Sequence, residues 1–297
     1  MEIQYIPAKT IVTAKKSTQW FGADHNMNIY RGCCHGCIYC DSRSDCYRED
    51  NFDVVKAKED ALRIIRDELR RKVRSGIIST GSMSDPYNPF EEELKLTRHS
   101  LELINAFKFG VTIATKSPLV TRDIDILQDI KKHSPLLVKM TITTADDELC
   151  KKLEPNVAPT SERIAALKTL SDAGIYCGIL MMPILPYIND TEESVLSIVN
   201  MAKECGAKFV YPSFGVTMRD SQREYFYSKL KEIYPELVET YKKKFGTYYK
   251  CSSPHASKLW NIFKSECDRL GLLYDIRDIT SSYKIGYGDI QFSFFKD

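Results

Sequence analysis

The stretch that decides the fold is residues 175–212, IYCGILMMPILPYINDTEESVLSIVNMAKECGAKFVYP. Two short apolar runs at its ends, residues 175–182 and 208–212, are typical of buried β-strands. Between them, from Val195 onward, apolar residues recur at i, i+3, i+4 and i+7, the spacing of a helix with one face in the core. The stretch therefore predicts two parallel strands joined by a helix over residues 192–204.

The same alternation of strand and helix extends toward the N-terminus. Four more strands are predicted over residues 27–30, 76–80, 111–115 and 137–143, and helices over residues 57–73, 97–107 and 161–172. Six strands that alternate with helices favour a parallel sheet, and we predict an α/β fold with a partial (β/α)6 barrel of the TIM type. After residue 213 the pattern changes to helices, predicted over residues 221–244 and 254–270.

Three regions are therefore expected along the chain. Residues 1–26 would be an N-terminal extension, residues 27–213 the barrel, and residues 214–297 a C-terminal appendage of helices and strands packed on the barrel. A chain of 297 residues, 43% of them hydrophobic, can bury a core of this size. The net charge of +2, the lack of a long apolar run and the lack of an apolar signal segment predict a cytoplasmic protein with no membrane contact.

Four of the ten cysteines crowd into the stretch RGCCHGCIYC, residues 31–40. Cys33, Cys37 and Cys40 are spaced as CxxxCxxC, and such clustering in an intracellular chain indicates a metal site rather than a disulfide framework. A four-iron cube normally takes four thiolates, so three thiolates leave one iron open to an added chelate. The alternative is a structural zinc site completed by Cys46 or His35.

The cysteine motif, with the aromatic Tyr39 before its last cysteine, resembles that of radical S-adenosylmethionine (SAM) enzymes. Further segments resemble the spore photolyase-like branch of that superfamily, also described as DNA repair photolyase-like. They are TGSMSDPYNPFEEELKLTR (80–98), VTIATKSPLVTRDIDIL (111–127) and PILPYIND (183–190). The resemblance covers about residues 28–190, and a weaker likeness follows near the end of the chain.

The resemblance implies a [4Fe-4S] cluster on the three cysteines, with SAM bound to the open iron. Reductive cleavage of SAM would then give a 5′-deoxyadenosyl radical that abstracts a hydrogen atom from the substrate. The implied SAM contacts come from the loop and the strand ends, at Tyr39, Ser82, Ser84, Lys116, Thr141 and Arg163. Simpler alternatives are that Lys116 caps a helix, that Thr141 is an ordinary strand residue, and that Arg163 pairs with Glu154.

The chain departs from true spore photolyases at two positions that return a hydrogen atom. Those enzymes resemble one another in a cysteine on the second-strand loop and a tyrosine directly after the last cluster cysteine, whereas this chain has Ser82 and Asp41 there. A serine O–H bond is too strong to return a hydrogen atom easily, so repair of spore photoproduct by that route is not expected. Candidate catalytic replacements are Cys34 and Tyr87, followed by Tyr39 and Cys177.

Two basic runs bear on the substrate: six Arg and Lys residues within residues 63–74, and three lysines at residues 242–244. Together with many tyrosines they favour a DNA or RNA lesion as substrate, although such runs are commonly solvated helix faces. The alternative substrate is a small molecule or a peptide, and the alternative to an enzyme is a zinc-binding module. The resemblance also implies an electron donor of the flavodoxin or ferredoxin type.

Overall fold

A computed structural model describes residues 3–287 of the chain, in which strands and helices alternate over residues 56–212. The strands are β1 (Gln4–Ile6), β2 (Val12–Ala14), β3 (His25–Met27), β4 (Tyr30–Arg31), β5 (Lys56–Lys58), β6 (Ile77–Thr80), β7 (Gly110–Thr115), β8 (Leu136–Thr141), β9 (Cys177–Met181), β10 (Val210–Pro212), β11 (Gly215–Thr217) and β12 (Lys250–Ser252). The helices are α1 (Ala61–Arg70), α2 (Glu91–Leu94), α3 (Leu96–Ala106), α4 (Ile124–Lys131), α5 (Asp147–Leu153), α6 (Thr160–Asp172), α7 (Glu192–Glu204), α8 (Asp220–Ile233), α9 (Leu237–Phe245), α10 (Ala256–Leu270) and α11 (Ile276–Lys284).

The central sheet has seven strands in the order β10–β9–β8–β7–β6–β3–β2. Six of them (β3, β6, β7, β8, β9 and β10) run parallel and follow chain order, and β2 pairs antiparallel with β3 at one edge. Parallel strands that follow chain order and are joined by helical crossovers are the arrangement of a β/α barrel. The predicted α/β fold with a partial (β/α)6 barrel is therefore confirmed.

The two faces of the sheet have different partners, as β8 illustrates. Val138 and Met140 pack in the main apolar core with the helices, whereas Leu137 packs with Phe21 on the inner face of the curved sheet. Lys139 also faces inward, with its Nζ 4.7 Å from the centre of the Phe21 ring. Because side chains alternate in direction along a strand, every second residue of β8 is directed into the barrel.

The start of the barrel differs from the prediction. Strand β3 begins at His25, before the predicted start at residue 27, and Tyr30 belongs to β4, which pairs with β5 outside the central sheet. Residues 57 and 58 were expected to open a helix, but together with Lys56 they form β5 between β1 and β4, so that α1 begins only at Ala61. Pairing on both sides satisfies the backbone of these residues, and this tertiary pairing overrides their helix propensity.

The single helix predicted over residues 221–244 is in fact two helices, α8 and α9. Pro235 lies between them; it has no backbone N–H, and it disfavours helical geometry at the preceding residue. Tyr234 accordingly has φ −140° and ψ 68°, outside the helical region. The helix predicted over residues 254–270 is observed as α10.

The elements after β10 pack against the barrel on two sides. On the outer side α10 lies against α7, and Ser253 Oγ donates a hydrogen bond of 2.6 Å to Asp190. On the inner side α11 buries Ile279 and Tyr283, and the Tyr283 hydroxyl donates to the Phe21 carbonyl at 2.7 Å. The predicted extension and appendage also include residues 1–2 and 288–297, which lie outside the described residues. Within residues 3–287, no helix has the length and apolar character to cross a membrane.

Candidate functional site

The cysteine loop, residues 32–47, lies at the C-terminal ends of the parallel strands. Ser84, after β6, donates a hydrogen bond of 2.5 Å to the Gly32 carbonyl. The ammonium of Lys116, after β7, lies 5.7 Å from the centre of the Tyr39 ring. Because loops that follow parallel strands meet at one edge of the sheet, the fold brings these residues together from distant parts of the chain.

Gly32 permits the loop to turn tightly as it leaves β4. Its φ is +74°, and a Cβ at this position would lie 2.1 Å from the Val54 carbonyl oxygen, so no other residue fits without displacing backbone. The next residue, Cys33, donates its backbone N–H to the Phe52 carbonyl at 2.7 Å. The first cysteine is therefore held by a backbone hydrogen bond directly after the turn.

The three motif cysteines have free thiols in a mostly buried environment. Cys33 and Cys37 are buried and Cys40 is half-buried. Burial raises the pKa of Cys33 to about 12, and the Asp85 carboxylate adds to the rise. Burial also raises the pKa of Cys37 well above its ordinary value, although the Lys116 ammonium opposes the rise. These thiols would therefore stay protonated on their own, and a bound cationic metal group would stabilise their thiolates and release the protons to solvent.

This donor set fits a [4Fe-4S] cluster with one open iron. Ligands of a four-iron cube occupy separate corners, and a loop with three cysteines supplies three of them. Within residues 3–287, no three or more His, Cys, Asp or Glu side chains converge as the ligands of a single metal ion do. The two candidates for completing a zinc site have other partners: His35 Nδ1 lies 3.7 Å from Asp85 Oδ2, and Cys46 Sγ lies 3.3 Å from Ser44 Oγ.

Asp85 organises the strand ends beside the loop. It accepts hydrogen bonds from Thr115 Oγ1 at 2.7 Å, from the Tyr87 N–H at 2.9 Å and from the Lys116 N–H at 2.7 Å. These bonds hold the backbone that carries the Lys116 side chain. Burial lowers the pKa of Lys116, but the nearby Cys37 sulfur and acidic groups raise it more, so the net shift is upward. Lys116 therefore places a charged ammonium next to the cysteines.

A buried network joins the cysteine loop to the end of β8. The Tyr39 hydroxyl donates to Glu154 Oε1, and Arg163 Nη2 pairs with Glu154 Oε2 at 2.7 Å. Arg163 also donates through Nη1 to the Thr141 carbonyl at 2.7 Å and through Nη2 to Cys150 Sγ at 2.8 Å. Burial raises the pKa of Glu154, but Arg163, Lys116 and the Tyr39 hydroxyl together lower it more, so the net shift is downward. Of the two alternatives for Arg163, the structure has the ion pair with Glu154.

The other predicted residues lie at different depths around the loop. Ser82 is exposed, and Thr141 is buried at the end of β8. Tyr87 is buried and donates its hydroxyl to Asp123 Oδ2 at 3.0 Å, while Cys34 is half-buried beside Cys33. An open crevice of about 430 Å³ lies between the loop and the strand ends, and its lining includes His35, Tyr87, Glu92, Lys116, Leu119 and Asn156.

The C-terminal segment supports the cysteine loop through contacts that were not predicted from the sequence. Asp41, directly after the last cysteine, accepts from Arg219 Nη2 at 2.7 Å and from Thr217 Oγ1 at 3.2 Å. Gln222 Nε2 donates to the Tyr39 carbonyl at 3.3 Å. These pairs are 176 to 183 positions apart in the chain, so no local pattern indicates them. Asp85, by contrast, has a local signal, because it begins the DPYNP segment after β6, which the sequence predicts to be a functional loop.

The chain matches one family model and is similar in sequence to several individual proteins. The family model described as the radical SAM superfamily matches residues 27–202. An uncharacterized protein of Methanocaldococcus jannaschii is 34% identical over 242 residues, 80% of this chain and 86% of that protein. An uncharacterized protein of Mycobacterium tuberculosis is 29% identical over 226 residues, 74% of this chain but only 66% of that protein. The radical SAM Nα-GlyT isomerase of Pseudomonas phage M6 is 20% identical over 298 residues, 92% of this chain and 61% of that protein.

Solved structures share the fold at low sequence identity. Spore photoproduct lyase complexed with dinucleoside spore photoproduct superimposes with a TM-score of 0.65 and 15% identity, over 91% of this chain and 81% of that one. The radical SAM methyltransferase TsrM from Kitasatospora setae superimposes with a TM-score of 0.52 and 12% identity, over 96% of this chain and 58% of that one.

Proposed function

The chain belongs to the radical SAM superfamily, and on that premise we propose that it is a radical SAM enzyme acting on a nucleic acid or nucleotide. Enzymes of this superfamily use a [4Fe-4S] cluster and SAM. Bound at Cys33, Cys37 and Cys40, these cofactors would supply a 5′-deoxyadenosyl radical that abstracts a hydrogen atom from the substrate. The observation that carries the proposal is the three-cysteine loop at the strand ends of a partial barrel.

Lys116 and Tyr39 are the residues best placed to bind SAM. The Lys116 ammonium would pair with the SAM carboxylate, because it is a charged donor fixed beside the cysteines. The Tyr39 ring, anchored through its hydroxyl to Glu154, would offer a flat apolar face to the adenine. Ser82, Ser84 and Thr141 lie on the loops and strand ends around them, where their hydroxyl groups would contact the methionyl and ribose parts.

Arg163 would act through other residues rather than touch SAM. One of its terminal nitrogens is paired with Glu154 and the other with the Thr141 carbonyl, so a bidentate grip on the SAM carboxylate would break both contacts. We therefore assign it to positioning Tyr39 through Glu154, and to fixing the end of β8. A buried arginine of this kind keeps the Glu154 carboxylate charged inside the fold.

Cys34 and Tyr87 would return the hydrogen atom after reaction. Neither position used by true spore photolyases is suited to this task here, because Ser82 has a strong O–H bond and Asp41 is paired with Arg219. Cys34 carries an S–H group next to a cluster ligand, and Tyr87 lines the crevice that Lys116 also lines. A thiol or phenol hydrogen is far easier to remove as an atom than a serine hydrogen.

The ligand of one similar structure supports a nucleotide substrate, and the name of one relative supports radical SAM chemistry. Spore photoproduct lyase, which shares this fold, was solved with a dinucleoside spore photoproduct, and the phage M6 relative is a radical SAM Nα-GlyT isomerase. The sequence of the chain lacks the hydrogen-returning cysteine of the spore enzymes, so a different base lesion or modification fits it better than spore photoproduct itself.

The test is anaerobic reconstitution followed by reduction in the presence of SAM. Dithionite replaces the flavodoxin or ferredoxin type donor, and 5′-deoxyadenosine is measured with and without oligonucleotides. We expect about four irons per chain, and 5′-deoxyadenosine formation that nucleic acid stimulates. Cys37→Ala should abolish both, whereas the matched control Cys46→Ala should retain both. One zinc per chain and loss of metal in both variants would contradict the cluster.

A further inference from the structure

The segment from the last turn of α9 through β12 forms an exposed surface of lysines and tyrosines. Residues 242–252, KKKFGTYYKCS, contain four lysines and no acidic residue. Tyr248 is 70% exposed and Tyr249 is 51% exposed. Large aromatic side chains that lie exposed side by side commonly mark a binding surface. We call the exposed side chains of Lys243, Lys244, Tyr248, Tyr249 and Lys250 the tyrosine–lysine surface.

The backbone under this surface is held firmly, although the rings project into solvent. Arg223 donates to the Gly246 carbonyl at 2.7 Å through Nη1 and to the Tyr248 carbonyl at 2.7 Å through Nη2. The Met218 N–H donates to the Tyr249 carbonyl at 2.8 Å. A surface whose backbone is already ordered loses little conformational freedom when a ligand binds to its rings.

The tyrosine–lysine surface lies at the same end of the barrel as the cysteine loop. The segment follows the C-terminal end of β10, and β12 pairs with β11. Arg219, which donates to the Tyr249 hydroxyl at 3.1 Å, also pairs with Asp41, the neighbour of the ligand Cys40. One arginine thus joins the exposed tyrosines to the cysteine loop.

The other basic run of the chain lies at the opposite end. Helix α1 runs back from the catalytic end of the barrel, so its C-terminal part and residues 71–74 precede the start of β6. Arg70 and Arg71 are therefore exposed at the N-terminal edge of the sheet, away from the cysteines. Nearer the catalytic end, Arg63 and Arg66 are paired with Asp60 and Asp67. This run has the composition of a nucleic-acid site but not the location.

We propose that the tyrosine–lysine surface binds a single-stranded stretch of nucleic acid, with bases stacked on Tyr248 and Tyr249 and phosphates near Lys243 and Lys244. Bases in a single strand expose their faces to aromatic rings, and the lysine ammonium groups attract the phosphates. Lys242 is paired with Glu239 and is not part of the surface. The strand would thereby be held beside the cysteine loop, with its target nucleotide within reach of the site. This inference rests on the proposed nucleic-acid function and assigns its docking surface.

Fluorescence anisotropy with a labelled single-stranded oligonucleotide tests the assignment on the reconstituted enzyme. Removal of each stacking ring should weaken binding on the order of tenfold, so Tyr248→Ala with Tyr249→Ala should weaken it on the order of a hundredfold. Phe at both positions should restore most of the affinity, because a phenyl ring still stacks. Lys243→Ala with Lys244→Ala should reduce the slope of log K against log salt concentration by about 1.4, which is about 0.7 for each of two phosphate contacts. The matched control Arg70→Ala with Arg71→Ala should bind as the unchanged enzyme does.

The possible results separate this inference from the function on which it rests. If the unchanged enzyme binds no nucleic acid at low salt, the proposed substrate class fails and the surface fails with it. If the enzyme binds but the Tyr→Ala variant binds equally well, or the α1 variant loses affinity instead, only the surface is wrong. Duplex bound as tightly as single strand would also overturn it. So would a Tyr→Ala variant that binds normally but loses reduction by flavodoxin, because the surface would then dock an electron donor.

Discussion

Replacing Lys139 by methionine should stabilise the fold, and the gain should disappear at high pH. Lys139 is fully buried on the inner face of β8, and its Nζ lies 3.3 Å from Thr112 Oγ1. Among residues 3–287 it takes part in no salt bridge. Burial, with a smaller contribution from Lys15, lowers its pKa from 10.5 to about 7. Burying the charged Lys139 amine therefore lowers the stability of the fold, because its only compensation is one hydroxyl partner and one aromatic ring.

The magnitude follows from this shift. At about 1.4 kcal/mol per pH unit, a fall from 10.5 to about 7 costs about 5 kcal/mol when the amine is charged in both states. The variant also loses the hydrogen bond to Thr112, which lowers its stability by about 1 kcal/mol. The variant is therefore expected to be more stable than the unchanged protein by about 4 kcal/mol below pH 7. Between pH 7 and 10.5 the unfolded chain binds the proton that the folded chain lacks, so the unchanged protein becomes more stable as pH rises. Above that window the gain is gone.

Thermal unfolding of the reconstituted protein at several pH values measures the effect. We expect Lys139→Met to raise the Tm on the order of 10 °C at pH 6, and by little at pH 10. Lys152→Met, which removes an exposed lysine from α5, controls for the change in net charge. A Tm difference that is the same at both pH values, or a less stable variant at pH 6, would refute the reasoning that Lys139 is an uncompensated buried amine.

Two further outcomes test the support of the cysteine loop. Glu154→Gln should lower the free energy of unfolding by about 3–5 kcal/mol, because it leaves the buried Arg163 without a counter-charge. The control Glu148→Gln, in an exposed pair, should change it by less than about 1 kcal/mol. Equal effects of the two substitutions in thermal unfolding would contradict the pairing. Arg219→Ala should release Asp41 and speed the loss of iron to a chelator several-fold, followed by absorbance, while Arg277→Ala on α11 should not; equal rates in both variants would show that the C-terminal segment does not support the loop.

Local sequence patterns account for most of the barrel. The strand–helix–strand unit at residues 175–212 is observed as β9, α7 and β10, because strand and helix periodicity are properties of neighbouring residues. The break between α8 and α9 could also have been predicted from the sequence, since Pro235 disrupts a helix through its own missing N–H. Strand β5 could not have been predicted from the sequence, because residues 56–58 form a strand only through pairing with β1 and β4.

The candidate site divides in the same way. The spacing of Cys33, Cys37 and Cys40 is a local feature, and with Tyr39 it already indicated the chemistry of the loop. The partners of that loop come from far along the chain, as Asp41 with Arg219 and Tyr39 with Glu154 illustrate. The composition of the two basic runs does not indicate where they lie in the fold. Only the direction of α1 and the pairing of β11 with β12 show that they lie at opposite ends of the barrel.

By itself, the sequence determined the alternation of strands and helices and the set of thiols, because both depend on residues that are near one another in the chain. The tertiary structure alone decided which charges are paired, which amine is buried and which surface adjoins the cysteines. Those properties arise from contacts between distant segments, and in this chain β8, the cysteine loop and the segment after β10 meet only once the sheet has formed.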